Sequence, residues 1–180
     1  MGKMADPTSM KSAFAILDQM KKRGVIEKYA VGGAVAASIH LRPATTADID
    51  IFFVVKVPTS KLLPLKPIYD YLLSKGGKID GQYIVYAGWP LQFLPGDTTP
   101  LVAEAVDRAR LLKAGTVSVP VFTPEHLAAI ALETGRPKDK VRLHELMESG
   151  ILHVKEFKDI IHRHGLTRKY EQWQRSQEAF

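Results

Sequence analysis

A pair of glycines followed closely by a strand with two aspartates constrains this fold more than any other part of the chain. The short apolar run 29–31 stops at Gly32 and Gly33, which is typical of a strand that ends in a turn. The alanine-rich stretch 34–40 predicts a helix that starts directly at the glycines. The run DIDIFFVV over 48–55 predicts a strand with one exposed end and the remainder inside a sheet. Because the helix is short, the second strand is expected to return beside the first.

Asp48 and Asp50 are two residues apart, so their side chains are expected on the same face of that strand, opposite Ile49 and Ile51. Two parallel carboxylates repel each other unless a cation or hydrogen-bond donors lie between them. Mg²⁺ answers this arrangement, because it prefers oxygen ligands and commonly binds one or two carboxylates together with substrate phosphates. The alternative is a solvated strand end that carries two acids by chance, and the Asp-x-Asp pattern alone does not exclude it.

Gly32 and Gly33 lie between a predicted strand and a predicted helix. Glycine allows the backbone to approach a ligand closely, and a helix N-terminus offers free N–H groups and a partial positive charge to phosphate. An ordinary strand-to-helix turn explains the two glycines equally well. Taken together with Asp48 and Asp50, however, the pattern predicts phosphate donors and metal ligands on one surface.

The rest of the chain predicts a mixed α/β (α+β) fold. Strands are predicted in the first two thirds of the chain and only helices after Phe122, so we expect an α/β core over 1–122 and a helical region over 123–180 packed on it. Helices are predicted at 9–23, 60–75, 99–114, 125–134, 138–148, 154–164 and 168–178, and further strands at 82–87, 89–94 and 117–122.

Composition narrows the functional classes. The 180 residues are 46% hydrophobic, which suffices for a buried core, and the lack of cysteine excludes disulfides, thiolate metal sites and cysteine nucleophiles. No apolar run approaches the roughly 20 residues of a membrane span. The N-terminus lacks a signal-peptide core. We therefore expect a soluble, cytoplasmic protein without a membrane partner. The net charge of +6 favours anionic partners, although many soluble domains carry such a charge for solubility.

The stretch VGGAVAASIHLRPATTADIDIFF resembles the nucleotidyltransferase superfamily, which has the polymerase-β-like fold. In that superfamily a strand, Gly-Gly or Gly-Ser, a helix and a strand with Asp-x-Asp or Asp-x-Glu follow one another. The spacing is similar to a bacterial branch that includes AbiEii and MenT-type toxins. That branch has an Arg and a Ser or Thr ahead of the acids, which Arg42, Thr45 and Thr46 match. The later stretch EHLAAIALETGRPKDKVRL is similar to the same branch, and there Lys138 and Asp139 match its basic residue and acid.

This resemblance implies transfer of a nucleotide from an NTP to an RNA or protein acceptor, and a toxin role implies an antitoxin partner. Asp48 and Asp50 would hold two Mg²⁺ ions, one activating the acceptor oxygen and the other holding the triphosphate. Arg42 and Lys138 would neutralise phosphate charge, although both could equally be solvated surface charges. The residues implied to bind the nucleotide are Gly32, Gly33, Arg42, Thr45, Thr46, Lys138 and Asp139.

The sequence departs from the superfamily at the third carboxylate, which usually comes from a neighbouring strand and often serves as the general base. The candidate strand here is WPLQFLPG, and its best-placed polar residue is Gln92. Glutamine can coordinate weakly through its carbonyl but cannot accept a proton at pH 7. Asp80 and Asp97 are nearby acids, but both lie where turns are expected. Three alternatives stay open: the base is absent, another acid replaces it, or the protein binds a nucleotide without transferring it.

Overall fold

One mixed sheet organises the computed structural model, which describes residues 7–41, 48–55, 65–114 and 116–178. Its strands are β1 (Lys28–Val31), β2 (Ile49–Val54), β3 (Lys78–Asp80), β4 (Tyr83–Tyr86), β5 (Trp89–Pro95), β6 (Arg110–Ala114) and β7 (Val117–Val121). They lie in the order β3-β4-β5-β2-β1-β7-β6. β2 is parallel to β5 and β1 is parallel to β7, whereas the other neighbours are antiparallel.

Helices cover this sheet and make up the C-terminal part of the chain. They are α1 (Pro7–Lys22), α2 (Gly33–His40), α3 (Lys66–Ser74), α4 (Pro100–Asp107), α5 (Pro124–Thr134), α6 (Pro137–Glu148), α7 (Val154–Arg163) and α8 (Thr167–Glu178). The expected mixed α/β class with a helical C-terminal part is confirmed. Residues 60–64 of the helix predicted over 60–75 lie outside the described residues. A search of the described helices finds none that is long and apolar enough to cross a membrane.

The two faces of β2 differ in the way that its alternating sequence predicts. Ile49, Ile51 and Phe53 are buried, whereas Asp50 and Phe52 on the other face are only partly buried. Ile49 pairs with Leu91 of β5 and Ile51 pairs with Phe93, so apolar side chains line up across the parallel strands. The register of the buried face therefore also fixes which residue of β5 lies beside Asp50 on the opposite face.

The helix predicted over 99–114 is wrong in its second half. Thr99 does cap α4, since its Oγ1 accepts a hydrogen bond from the Val102 amide at 3.2 Å, but the helix ends at Asp107. The following residues form β6, which pairs with β7 from Arg110↔Val121 to Ala114↔Val117. The apolar spacing suited a longer helix, but pairing with β7 satisfies the backbone of these residues and overrides that local preference.

The strand β3 was not predicted from the sequence. Lys78–Asp80 pairs antiparallel with β4, although all three of its residues are exposed. A strand of this length without a buried face has no periodicity to detect, and only its neighbour defines it. In the adjoining hairpin, a tight turn joins the two strands that were predicted over 82–87 and 89–94. Ala87 and Gly88 both have positive φ, 51° and 84°, as the two-residue turns that match strand twist require.

Candidate active site

The start of α2 and the side chain of Asp50 share one small space. Gly32 has extended dihedrals and Gly33 has a φ of 59°, in the left-handed region. A Cβ placed on Gly33 would lie 1.7 Å from Oδ2 of Asp50. The Gly32 amide also donates a hydrogen bond to the Asp50 carbonyl at 3.0 Å. Only glycine fits at position 33, and the Asp50 carboxylate therefore lies directly against the backbone at the N-terminus of α2.

Gly32 is required for a different reason, which is packing beneath the turn. A Cβ on Gly32 would lie 2.5 Å from the Phe52 ring and 3.0 Å from the Phe122 ring. These two rings contact each other with centroids 4.8 Å apart. The aromatic pair thus fills the space between β2 and the end of β7 and fixes how closely the glycine turn approaches the acidic strand.

Asp48 directly precedes β2, and its charge acts on Asp50. Burial raises the pKa of Asp50 above its ordinary value, the Asp48 carboxylate raises it further, and the positive charges of Arg142, Lys138 and Arg136 act in the opposite direction. The two acids predicted to act together are therefore electrostatically coupled, and three cations from the start of α6 face them. Lys138 was among the predicted site residues, whereas Arg136 and Arg142 were not.

Asp139 organises these cations. It is 2% exposed, and its carboxylate forms ion pairs with Arg136 at 2.6 Å and with Arg142 at 3.5 Å. Each arginine is three residues away from it, so all three side chains share one side of the first turns of α6. The i, i+3 spacing in GRPKDKVR was the signal in the sequence for both arginines. The buried carboxylate holds them where their charges reach Asp50.

A cavity of about 730 Å³ lies between α2 and α6. Both Lys138 and Arg142 line it, so it opens next to the charges that act on Asp50. The remaining lining residues are Ala34, Ala37, Ser38, His40, Leu41, Val141, Glu145, Glu148, Ser149 and Ile151. His40 also fixes the end of α2, because its Nε2 donates a hydrogen bond to the Phe122 carbonyl at 2.7 Å. The cavity is large enough for a nucleotide-sized ligand.

Gln92 is the residue of β5 that lies beside Asp50. The two are register partners in parallel strands, which places their backbones about 4.8 Å apart and both side chains on the same face. Asp80 pairs with Tyr83 in β3 and β4, so three strand spacings, or about 14 Å, separate it from Asp50. Asp97 follows the far end of β5, roughly 15 Å along the strand from Gln92. Neither acid is near the pair.

The donor set suits a hard divalent cation that is shared with a ligand. Within the described ranges no cluster of three or more His, Asp or Glu side chains is arranged to hold a metal. Mg²⁺ does not need one, since one or two carboxylates, water and substrate phosphates complete its coordination. Asp48 and Asp50 would supply the carboxylates, and the lack of a side chain on Gly33 leaves room for the Asp50 carboxylate against the start of α2. The other predicted nucleotide-binding residues, Arg42, Thr45 and Thr46, lie outside the described residues.

Comparison with known proteins identifies the fold. No protein-family model matches the chain, and no curated protein matches it significantly. The solution structure of the antibiotic-resistance factor ANT(2'')-Ia is 15% identical, with a TM-score of 0.56 over 98% of this chain and 100% of that one. The crystal structure of an antigenic nucleotidyltransferase-like protein from Paracoccidioides brasiliensis is 16% identical, with a TM-score of 0.58 over 87% of each chain. The chain thus has a nucleotidyltransferase-type fold, as its sequence predicted.

Proposed function

We propose that this protein is a Mg²⁺-dependent nucleotidyltransferase that transfers a nucleotide from an NTP to an RNA or protein acceptor. One observation carries the proposal: the Asp50 carboxylate lies against Gly33 at the N-terminus of α2, and Asp48, directly before β2, is close enough for its charge to raise the pKa of Asp50. Backbone donors for phosphate and carboxylate ligands for a cation then meet in one place, which a phosphate–metal complex requires and an ordinary turn does not.

The first turn of α2 supplies the phosphate contacts. The Ala36 amide donates to the Gly32 carbonyl at 3.1 Å, which is the first hydrogen bond of the helix. The amides of Gly33, Ala34 and Val35 precede it and have no partner within the helix. They carry its partial positive charge, so they are suited to bind the oxygens of a triphosphate.

The start of α6 supplies the balancing charge. Lys138 and Arg142 line the cavity beside α2, and Arg136 lies one turn away on the same helix end. Their role is to neutralise the triphosphate and orient it for in-line attack, with Asp139 holding the two guanidinium groups in position. Held by Asp48 and Asp50, two Mg²⁺ ions would supply the remaining charge neutralisation and the activation of the acceptor oxygen.

A second candidate function is nucleotide binding without transfer. Gln92 favours it, because the residue beside Asp50 is neutral and cannot accept a proton from the acceptor. On this alternative the glycine turn and the α6 cations still bind a triphosphate, and the missing third carboxylate marks lost catalysis.

The resemblance to AbiEii and MenT-type toxins supports a finer proposal, in which the transferase is a toxin under the control of an antitoxin. The stretch that carries it includes Arg42, Thr45 and Thr46, ahead of the acids. Expression of the wild-type chain is expected to arrest the growth of the host cells, and expression of Asp50→Ala is expected not to.

Label transfer tests the main proposal. The protein is incubated with each α-³²P-NTP, Mg²⁺ and either total RNA or total protein, and the wild type is compared with Asp48→Ala and Asp50→Ala. Asp97→Ala is the matched control, because it removes an acid at the far end of β5. Transfer that is lost in the first two variants and kept in the control supports the enzyme. NTP binding without transfer supports the second candidate, and the absence of both contradicts the two functions together.

A further inference from the structure

A second concave surface lies away from Asp50, where the end of α4, the start of β6 and α7 meet. This basic cleft has a volume of about 460 Å³. Its lining residues are Arg108, Arg110, His153, Lys155, Glu156, Asp159 and Arg163. Four of the seven are Lys or Arg and one is His, whereas two are acidic, so the cleft is positively charged at neutral pH.

Two of its arginines are held in place without being withdrawn from solvent. Arg108 and Arg163 both form ion pairs with Glu104, at 3.3 and 2.5 Å, and their side chains are 61% and 44% exposed. Glu104 itself is only 18% exposed and also accepts a hydrogen bond from His164 at 2.7 Å. A single shielded carboxylate thus orients two guanidinium groups, each of which keeps donors free for an anion.

The basic cleft adjoins the cavity of the candidate active site. Ser149 and Ile151 line that cavity and His153 lines the basic cleft, so the short connection between α6 and α7 separates the two. Two residues of extended chain span at most about 7 Å. A polymer whose end lies at the proposed active site would have to cross only this connection to reach the basic cleft.

The lining identifies the kind of polymer. Every described residue that lines the cleft is charged or is histidine, so the lining contains no aliphatic or phenyl, phenol or indole side chain. Protein interfaces depend on buried aromatic and apolar anchors, which this surface lacks. Nucleic acid binds through its phosphates to Lys and Arg, and needs no apolar anchor. We propose that the basic cleft binds the sugar–phosphate backbone of a nucleic acid acceptor. That this nucleic acid is the acceptor rests on the proposed function, whereas its binding to the cleft does not.

Fluorescence anisotropy tests the binding without catalysis. The full chain is titrated, in the absence of NTP, onto a 20-nucleotide fluorescein-labelled RNA and onto DNA of the same sequence. The double variant Arg110→Glu/Lys155→Glu is compared with the control Lys75→Glu/Lys78→Glu, which changes the net charge equally near the opposite edge of the sheet. We expect the cleft variant to weaken binding at least tenfold and to lower the salt slope by about 1.4, from two lost phosphate contacts. The control is expected to change affinity less than twofold.

Equal weakening in both double variants, or no change in the cleft variant, would overturn the proposal. So would displacement of the labelled RNA by polyglutamate as effectively as by unlabelled RNA, since the surface would then accept any polyanion. If RNA binds more tightly than DNA, the cleft binds an RNA backbone. If DNA binds more tightly, the cleft binds a DNA backbone. The two proposals fail separately. Asp50→Ala tests transfer and leaves the basic cleft intact, whereas the cleft variant tests binding in a chain whose Asp48 and Asp50 are unchanged.

Discussion

The Asp50 carboxylate lies where a side chain on Gly33 would be, since a Cβ placed on Gly33 would be 1.7 Å from Oδ2 of Asp50. Because this contact defines the candidate site, Gly33→Ala is expected to displace the carboxylate. Lost positioning is then expected to weaken NTP binding and to slow transfer, each by at least about 100-fold. Gly81→Ala is the matched control, since Gly81 has the same φ of 59° with open space around it. Gly81→Ala is expected to lose about 1 kcal/mol in thermal unfolding from left-handed strain alone. Gly33→Ala is expected to lose more, because its Cβ also meets the Asp50 carboxylate, and only Gly33→Ala is expected to lose binding. Retained NTP affinity in Gly33→Ala would contradict the site.

Replacing Gln92 tests whether the residue beside Asp50 limits the chemistry. Gln92→Glu restores an acid of the same shape at the register position next to Asp50. A positioned general base commonly accelerates such reactions 10²–10⁴-fold, so we expect transfer to rise at least about tenfold. Gln82→Glu, in the turn before β4, is the control. Single-turnover transfer rates measure the effect, and an unchanged rate in Gln92→Glu would place the base elsewhere.

Asp139 is expected to matter for both stability and nucleotide affinity. Asp139→Asn removes the charge that holds Arg136 and Arg142, and a charge-assisted pair at a buried carboxylate contributes on the order of 2 kcal/mol. Urea unfolding gives the loss of stability, and NTP titration is expected to show at least fivefold weaker binding. Asp70→Asn breaks an exposed pair with Lys66 and is expected to change stability by less than about 1 kcal/mol, with unchanged NTP affinity. Similar losses in the two variants would argue against a positioning role.

Acid is expected to destabilise the fold through Glu104 and His126. Burial opposes ionisation of Glu104, but hydrogen bonds from Arg163 and His164 outweigh it and lower its pKa to about 2. The unfolded chain binds this proton at higher pH, so the stability contributed by ionised Glu104 is fully present above pH 4.5 and is lost as the pH falls towards 2. Burial lowers the pKa of His126 below 6.5, which gives a further loss of stability as the pH falls below that value.

Differential scanning calorimetry from pH 7.5 to pH 3 measures this dependence. The wild type is expected to lose thermal stability progressively below pH 6.5. Glu104→Gln is expected to be less stable at pH 7.5 and to lose less between pH 4.5 and pH 3, because it no longer has the carboxylate that must be protonated. A Glu104→Gln profile parallel to that of the wild type in this interval would contradict the assignment.

The sequence predicted best where local pattern and tertiary structure require the same thing. The two glycines and the alternation over 48–51 predicted a turn and a strand whose acids share a face, and the Asp50 carboxylate does lie against the turn. The prediction of a helix over 99–114 was wrong in its second half. Residues 110–114 have apolar spacing compatible with a helix, but they pair with β7, which no local sequence pattern indicates.

The cations at α6 show a different limit. The positions of Arg136, Asp139 and Arg142 in the sequence indicate one shared helix side, but not which side packs towards Asp50. That orientation is decided by tertiary packing: Asp139, Leu143 and Leu146 form the buried side of α6, so the ion pairs of Asp139 lie at its edge. Of the three cations only Lys138 was predicted there, indicated by the resemblance together with Asp139.

The acids and the cations of the site come from opposite parts of the chain, with β5, β6 and α5 made between them. During synthesis a ribosome-bound chain therefore carries the paired aspartates long before their counter-charges exist. Such a nascent chain has the proposed metal ligands, Asp48 and Asp50, and gains the cations of the proposed triphosphate site only when α6 is made. On the proposed function, nucleotide binding therefore requires that translation has reached Arg142, in the last quarter of the 180-residue chain.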